Sequence, residues 1–222
     1  MKKILAKREK IMNICYIACA LDCKIDISLE KGDFVIGADK GYQVLKNNKI
    51  EPNLVIGDFD SCDIEIDFEN VVKYPVKKDF TDSELAIKHA IELGYKKIQV
   101  FGAIGADLDH TLANVAILAK YAKQGIDISF VDKDKVVFAI CNSNVNFTRE
   151  AKGRISVFSF EDRAIGVFEK GLLYELDNVT LENSTPLGVS NEFIGKSAEI
   201  KVEQGTLIIY TSKENYEKHL TK

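Results

Sequence analysis

The sequence predicts an α/β N-terminal domain with a mainly parallel sheet, followed by an all-β, sandwich-like C-terminal domain. Three observations lead there. Up to about residue 140, short apolar runs alternate with amphipathic stretches of helical period, as in a helix-covered parallel sheet. After Asn142 the runs shorten, often alternate, and are separated by turn pairs such as Lys170-Gly171, Asp177-Asn178 and Gln204-Gly205, leaving no room for a helix of useful length. Hydrophobic residues make up 46% of the 222, enough to build a packed core. The expected domains are 1–141 and 142–222.

Taken in order, residues 13–18, 34–37, 54–56, 71–74, 98–101, 126–131 and 136–140 read as strands. Thr81-Asp82-Ser83-Glu84 forms a capping box, in which the hydroxyl and the glutamate each take an unpaired backbone N–H. Leu85, Ala86, His89, Ala90 and Leu93 follow at helical spacing, and Gly94 stops the helix. A second helix is expected over 110–124, with Leu112, Val115, Ala116, Ala119 and Ala122 on its apolar side. In the C-terminal part, Phe147 and residues 155–160, 165–168, 172–176, 179–181, 198–202 and 207–210 read as strands. Residues 1–11 are charged and precede Met12, where the first strand begins, so the chain is expected to start at Met12 or to carry a loose tail.

Composition excludes several function classes. A net charge of -4 argues against nucleic acid as the main partner, because phosphate backbones select basic surfaces. It leaves open a phosphorylated ligand neutralised by a metal ion. Five cysteines, at 15, 19, 23, 62 and 141, form no CxxC pair and have no histidine companion, so reduced thiols are expected rather than disulfides or zinc. No signal peptide or membrane-spanning run is visible, and a cytoplasmic protein is expected.

The chemistry gathers in carboxylates that follow strands. Asp39 comes after the second strand and Asp58 and Asp60 after the third, in Gly57-Asp58-Phe59-Asp60-Ser61. Asp79 and Asp82 lead into the first predicted helix, and Asp107 and Asp109 follow the strand at 98–101. Loops leaving the C-terminal ends of parallel strands converge on one edge, where ligands bind. Acidic loops massed there repel one another unless a cation lies among them, and hard oxygen donors suit Mg²⁺ together with substrate phosphates. Lys77 and Lys78 can hold phosphate oxygens as point charges.

At these residues the sequence resembles the thiamine pyrophosphokinase family. The matching stretches are Gly37-Ala38-Asp39-Lys40-Gly41, then residues 50–61, Lys78-Asp79-Phe80-Thr81-Asp82-Ser83-Glu84, Leu108-Asp109-His110 and Gly188-Val189-Ser190-Asn191-Glu192-Phe193. The resemblance implies an α/β catalytic domain joined to a β-sandwich, a homodimer, and Mg²⁺-dependent transfer of diphosphate from ATP to thiamine. It implies Asp58, Asp60 and Asp82 as metal ligands, with Asp39 beside the transferring phosphates and Asp79 and Lys78 nearby. By the same resemblance Asp109 and His110 line the substrate side, and Ser190 and Asn191 help hold thiamine from the β-domain, across the dimer. Phe193 and Tyr174 are the candidates to stack on its ring.

Two departures stand out. The family commonly places glycine and arginine where this chain has Ala106 and Asp107, so an anion stands at a phosphate-binding cation's position. Ala20-Leu21-Asp22-Cys23-Lys24 replaces a glycine-rich turn after the first strand. The alternatives are a related pyrophosphokinase for a pterin alcohol, which would share the ATP and metal machinery, and a sensor that binds thiamine or nucleotide without chemistry. A phosphatase with Asp58 as nucleophile would need its aspartates after the first strand instead.

Overall fold

The structure, a computed structural model, describes residues 13–59, 68–75, 79–105 and 107–221. The stretch ending at Met12, with Asp60, Ser61, Cys62, Lys77, Lys78 and Ala106, lies outside the described residues. Six strands run parallel: β1 (Ile14–Ala18), β2 (Phe34–Ala38), β3 (Leu54–Gly57), β4 (Val71–Lys73), β5 (Lys97–Phe101) and β6 (Asp127–Asp132). Their order is β6-β5-β1-β2-β3-β4, so the chain steps outward from β1 to β4 and then returns to the other side of β1. α1 (Gly41–Asn47) follows β2, α2 (Asp82–Glu92) precedes β5, and α3 (Leu108–Ala122) joins β5 to β6. β1, β2, β3 and β5 are buried along almost their whole length because both faces are covered, as expected of parallel strands.

β7 (Lys135–Cys141) turns back antiparallel on β6, and the sheet then continues through strands far along the chain. β14 (Thr206–Ser212) pairs with β7, β9 (Lys152–Ser159) with β14, and β12 (Asn191–Ile194) with β9, completing ten strands. A second sheet of five strands packs across from this part. It comprises β8 (Asn144–Phe147), β10 (Arg163–Lys170), β11 (Leu176–Glu182), β13 (Ala198–Gln204) and β15 (Leu220–Thr221), in the order β11-β10-β13-β8-β15. The C-terminal half is thus a sandwich, one layer of which is hydrogen-bonded directly onto the N-terminal sheet.

Alternation along each strand sorts the core into two layers. On β1, Cys15 and Ile17 face α2 and α3, whereas Tyr16 and Ala18 face the α1 side. The first layer holds Ile36, Ile56, Ile98, Phe130, Leu118 and Ile208, and the second holds Phe138, Ile140, Ile155, Val167, Ile200 and Leu207. Each fully buried side chain of this size contributes about 1.5–3 kcal/mol by leaving water. Cys15, Cys19, Cys23 and Cys141 are free thiols. Burial pushes the Cys15 and Cys19 thiols up to about 12, with nearby carboxylates adding to it, so neither forms the reactive thiolate near neutral pH.

Several local expectations are corrected. The helix α1 was not foreseen, being only seven residues long. α3 begins at Leu108, and its inner face overlaps the expected one only in part, with Ala119 buried as expected. Asn114, Ile117, Leu118 and Tyr121 are buried, while Leu112, expected inside, is 61% exposed. The polar Asn114 was passed over because an apolar stripe is what periodicity detects. Residues 172–175 form a turn rather than a strand, with Leu172 alone bridging to Phe193. Gly171 causes this: its φ is +71°, and a Cβ there would lie 2.0 Å from the Ser197 carbonyl oxygen. The Glu175 carboxylate then accepts the Gly171 N–H at 2.8 Å. No described helix is long and apolar enough to cross a membrane.

Candidate active site

A cleft of about 320 Å³ opens at the C-terminal edge of the parallel strands. It lies where strand order reverses, between β1 and β5, the topological switch point at which open α/β sheets bind ligands. Cys19, Ala20 and Leu21 after β1, and Gly102 and Ala103 after β5, form its floor. Asp39 enters from the end of β2, Thr81, Asp82 and Ser83 from the start of α2, and Asp107, His110, Thr111 and Asn114 from α3. The N-termini of α2 and α3 both open onto it, and their dipoles favour anions such as phosphates.

Backbone conformation at these loops is unusual. Asp39 (φ +50°), Phe59 (φ +62°) and Ser190 (φ +61°) occupy the left-handed region, which costs a non-glycine residue roughly 1 kcal/mol or more. Asp39 is held there by its neighbours. Its N–H donates to the Ile56 carbonyl at 2.7 Å and its carbonyl accepts the Tyr42 N–H at 3.2 Å. Gly57 permits the approach, because a Cβ at 57 would stand 3.1 Å from the Asp39 Cα. The first loop is fixed in the same way, with the Cys19 N–H donating to the Phe101 carbonyl at 2.8 Å and the Leu21 N–H to the Gly102 carbonyl at 3.0 Å. The non-glycine turn after β1 therefore still lines the cleft, but these two N–H groups are spent on the protein.

Asp82 is the first residue of α2. Thr81 caps that helix as expected, its Oγ1 accepting the Glu84 N–H at 3.3 Å. The Glu84 carboxylate is engaged with Lys120 and Tyr121 of α3. A polar relay that sequence reading missed ties the helices together beneath the cleft. Thr81 Oγ1 and Ser83 Oγ lie 2.9 Å apart, Ser83 donates to Asn114 Oδ1 at 3.1 Å, and Asn114 Nδ2 donates to the Ala103 carbonyl at 2.6 Å. No sequence signal marked it, because the partners of Asn114 lie far along the chain.

The structure brings Asp39, Asp82 and His110 together in the cleft, with Asp107 beside them. Asp58 is half-buried at the end of β3, next to β2. Asp79 is exposed and does not line the cleft. Asp109 is also exposed, its Oδ1 accepting the His110 N–H at 2.8 Å. The Asp60 and Lys78 readings fall outside the described residues. Among the described residues no three acidic, histidine or cysteine side chains are grouped to hold a metal ion. Even so, the donors at this edge are carboxylates, the hard oxygen ligands that Mg²⁺ takes alongside water and phosphate.

Ser190 and Asn191 lie at the start of β12, on the far edge of the ten-stranded sheet from β4. Neither lines the cleft of its own chain, for five strand spacings, about 24 Å, separate β12 from β5, the nearer wall. Ser190 is exposed, whereas Asn191 is buried. Phe193 is corrected as a stacking candidate: it is buried against Phe147, ring centroids 5.0 Å apart. Tyr174 is 66% exposed and remains available.

Residues 25–130 match the family model for the thiamin pyrophosphokinase catalytic domain, and residues 142–207 that for the thiamin pyrophosphokinase vitamin B1 binding domain. The chain belongs to the thiamin pyrophosphokinase family. It is 31% identical over 187 residues to the thiamine pyrophosphokinase of Bacillus subtilis (strain 168), covering 81% of this chain and 87% of that one. Thiamin pyrophosphokinase 1 of Caenorhabditis elegans is 26% identical over 179 residues, 74% of this chain and 72% of that one. The crystal structure of thiamine pyrophosphokinase from Bacillus subtilis superposes with a TM-score of 0.80 at 28% identity, over 90% of this chain and 99% of that one. That of thiamin pyrophosphokinase from Geobacillus thermodenitrificans gives 0.77 at 26% identity, over 90% and 97%. The two sheets and the sandwich are thus those of a thiamin pyrophosphokinase fold.

Proposed function

We propose that the chain transfers diphosphate from ATP to the hydroxyl of thiamine, giving thiamine diphosphate and AMP, with the cleft between β1 and β5 as the transfer site. The observation that carries this reading is Asp39 and Asp82 together in a cleft onto which the N-termini of α2 and α3 open, in a chain of this family. Helix N-termini draw the phosphates in, and the left-handed Asp39 is held rigidly enough to orient what binds beside it. Asp58, Asp60 and Asp82 are the residues that would hold Mg²⁺, which when bound would neutralise charge on the transferring phosphates. We infer a cytoplasmic protein, a reading supported by the free thiols among the described residues.

Thiamine-dependent release of AMP, with chromatography of the second product, tests this. A pterin alcohol replacing thiamine as acceptor would sink the substrate assignment, and thiamine binding without AMP would leave a sensor. Asp107 adds a carboxylate to a phosphate site, so Asp107→Arg is expected to lower the KM for ATP by about tenfold, the effect of one charge-assisted contact. An unchanged KM would show that residue 107 does not meet the nucleotide.

The distance across the sheet supports a homodimer in which segment 188–191 of one copy completes the cleft of another. A 1:1 mixture of Asp82→Asn and Ser190→Tyr chains is then expected to recover about a quarter of wild-type activity, because half of the dimers carry one intact site. Two inactive variants that stay inactive when mixed would place both functions in one chain.

A further inference from the structure

Glu169, on β10, is the one acidic or basic side chain buried among the described residues, with no exposed surface. It points into the core between the two sheets. Its register partners are Leu176 and Ile200, and across the gap it meets Gly188, which bonds to Val157 of the other layer. Oε2 accepts a hydrogen bond from Asn191 Nδ2 at 2.8 Å, while Oε1 is buried with no hydrogen-bond partner. A Cβ at position 188 would fall 2.7 Å from that Oε1 and 2.6 Å from the Val157 carbonyl oxygen, so only glycine lets the segment lie on the carboxyl group.

The segment above Glu169 is held by hydrogen bonds at Gly188, Ser190 and Asn191. Asn191 uses all of its amide: Nδ2 also donates to the Tyr174 carbonyl at 2.6 Å, and Oδ1 accepts the N–H groups of Tyr174 (3.0 Å) and Glu192 (2.9 Å). The Ser190 N–H donates to Ser156 Oγ at 3.0 Å, and the Gly188 carbonyl accepts the Val157 N–H at 2.8 Å. What this leaves facing outward is Val189, the left-handed Ser190 and the ring of Tyr174.

An apolar residue of the same size would fill this site more cheaply, since a buried carboxyl without a counter-ion is destabilising. Only a polar acceptor completes Asn191. We propose that Glu169 is a positioning residue for thiamine recognition: acting through Asn191, it holds segment 188–191 and Tyr174 in the conformation that presents Ser190 and the Tyr174 ring to the substrate. This rests on the reading of segment 188–191 as part of the thiamine site.

Burial pushes the Glu169 carboxyl up to about 7, against the opposing effect of the Asn191 hydrogen bond. The groups facing it, Leu176, Ile200, Val157, Gly188 and Asn191, carry no charge. The charged neighbours Lys170, Asp177, Glu199, Lys201, Glu175 and Glu192 occupy half-buried or exposed positions, and Lys170 is paired with Asp177 at 2.9 Å. Above about pH 7 the ionised carboxylate has no cation to meet, and its hold on the segment under Gly188 is expected to weaken.

The test compares wild type, Glu169→Gln and Glu169→Leu between pH 6 and 8. It measures thiamine-dependent AMP release and, by calorimetry, the thiamine Kd. Glu169→Leu is expected to raise the KM and Kd for thiamine about tenfold while kcat and the KM for ATP stay unchanged. Glu169→Gln restores thiamine binding, and removes the rise in KM that wild type shows from pH 6 to 8. Melting temperatures that shift while the thiamine constants stay at wild-type values, at every pH, would make Glu169 purely structural and overturn the proposal. Wild type that neither turns over nor binds thiamine would overturn the functional reading itself, and this inference with it.

Discussion

Asp82→Asn is expected to lower kcat on the order of a hundredfold or more while the protein stays folded. The comparison is with removal of one preorganised electrostatic group from an active site. Asp82 lines the cleft at the first position of α2, and Thr81 rather than Asp82 supplies the side-chain cap of that helix. The amide therefore leaves the side-chain cap of α2 in place, and its loss of charge at the helix N-terminus costs the fold about 0.5 kcal/mol. What is lost is a hard anionic oxygen beside the phosphates, and raising Mg²⁺ is expected to recover part of the rate. Steady-state kinetics with circular dichroism separates the two effects. A kcat within threefold of wild type would remove Asp82 from the transfer site.

Gly41→Ala is expected to destabilise the protein by about 3 kcal/mol, the upper range for overpacking, and to lower activity with it. A Cβ at 41 would stand 1.8 Å from the Ala18 carbonyl oxygen and 2.5 Å from its carbonyl carbon, both backbone atoms at the end of β1. No rotamer change relieves that contact, so β1 and α1 must separate. Asp39 lies two residues before Gly41 and Cys19 one residue after Ala18, and both line the cleft, so the displacement reaches the site directly. For a chain of this length the loss corresponds to about 6–12 °C in Tm. A change of under 2 °C would show that the β1–α1 contact yields more easily than the geometry implies.

Much of this was legible in the sequence, for physical reasons that differ from place to place. The parallel strands were clear because strands covered on both faces must be largely apolar, as residues 34–38 and 54–57 are. Helix α2 was clear because Thr81 and Gly94 mark its ends chemically. Asp39 and Asp82 could be placed on one edge because every parallel strand ends there. Asn114 could not be foreseen, since its value comes from Ser83 and Ala103, 31 and 11 residues away in the chain. The joining of β14 to β7 was equally hidden, for alternation within a strand does not say which sheet receives it. Glu169 fell just past the strand expected over 165–168, and only the packing of two sheets shows it buried.

The central claim is transfer of a diphosphate group to thiamine, and ATP labelled at the γ-phosphorus tests it most directly. The account predicts that, with thiamine and Mg²⁺ present, the label moves into thiamine diphosphate and AMP leaves unlabelled. Label in thiamine monophosphate with ADP as the other product, or label released as free phosphate whether or not thiamine is present, would contradict it.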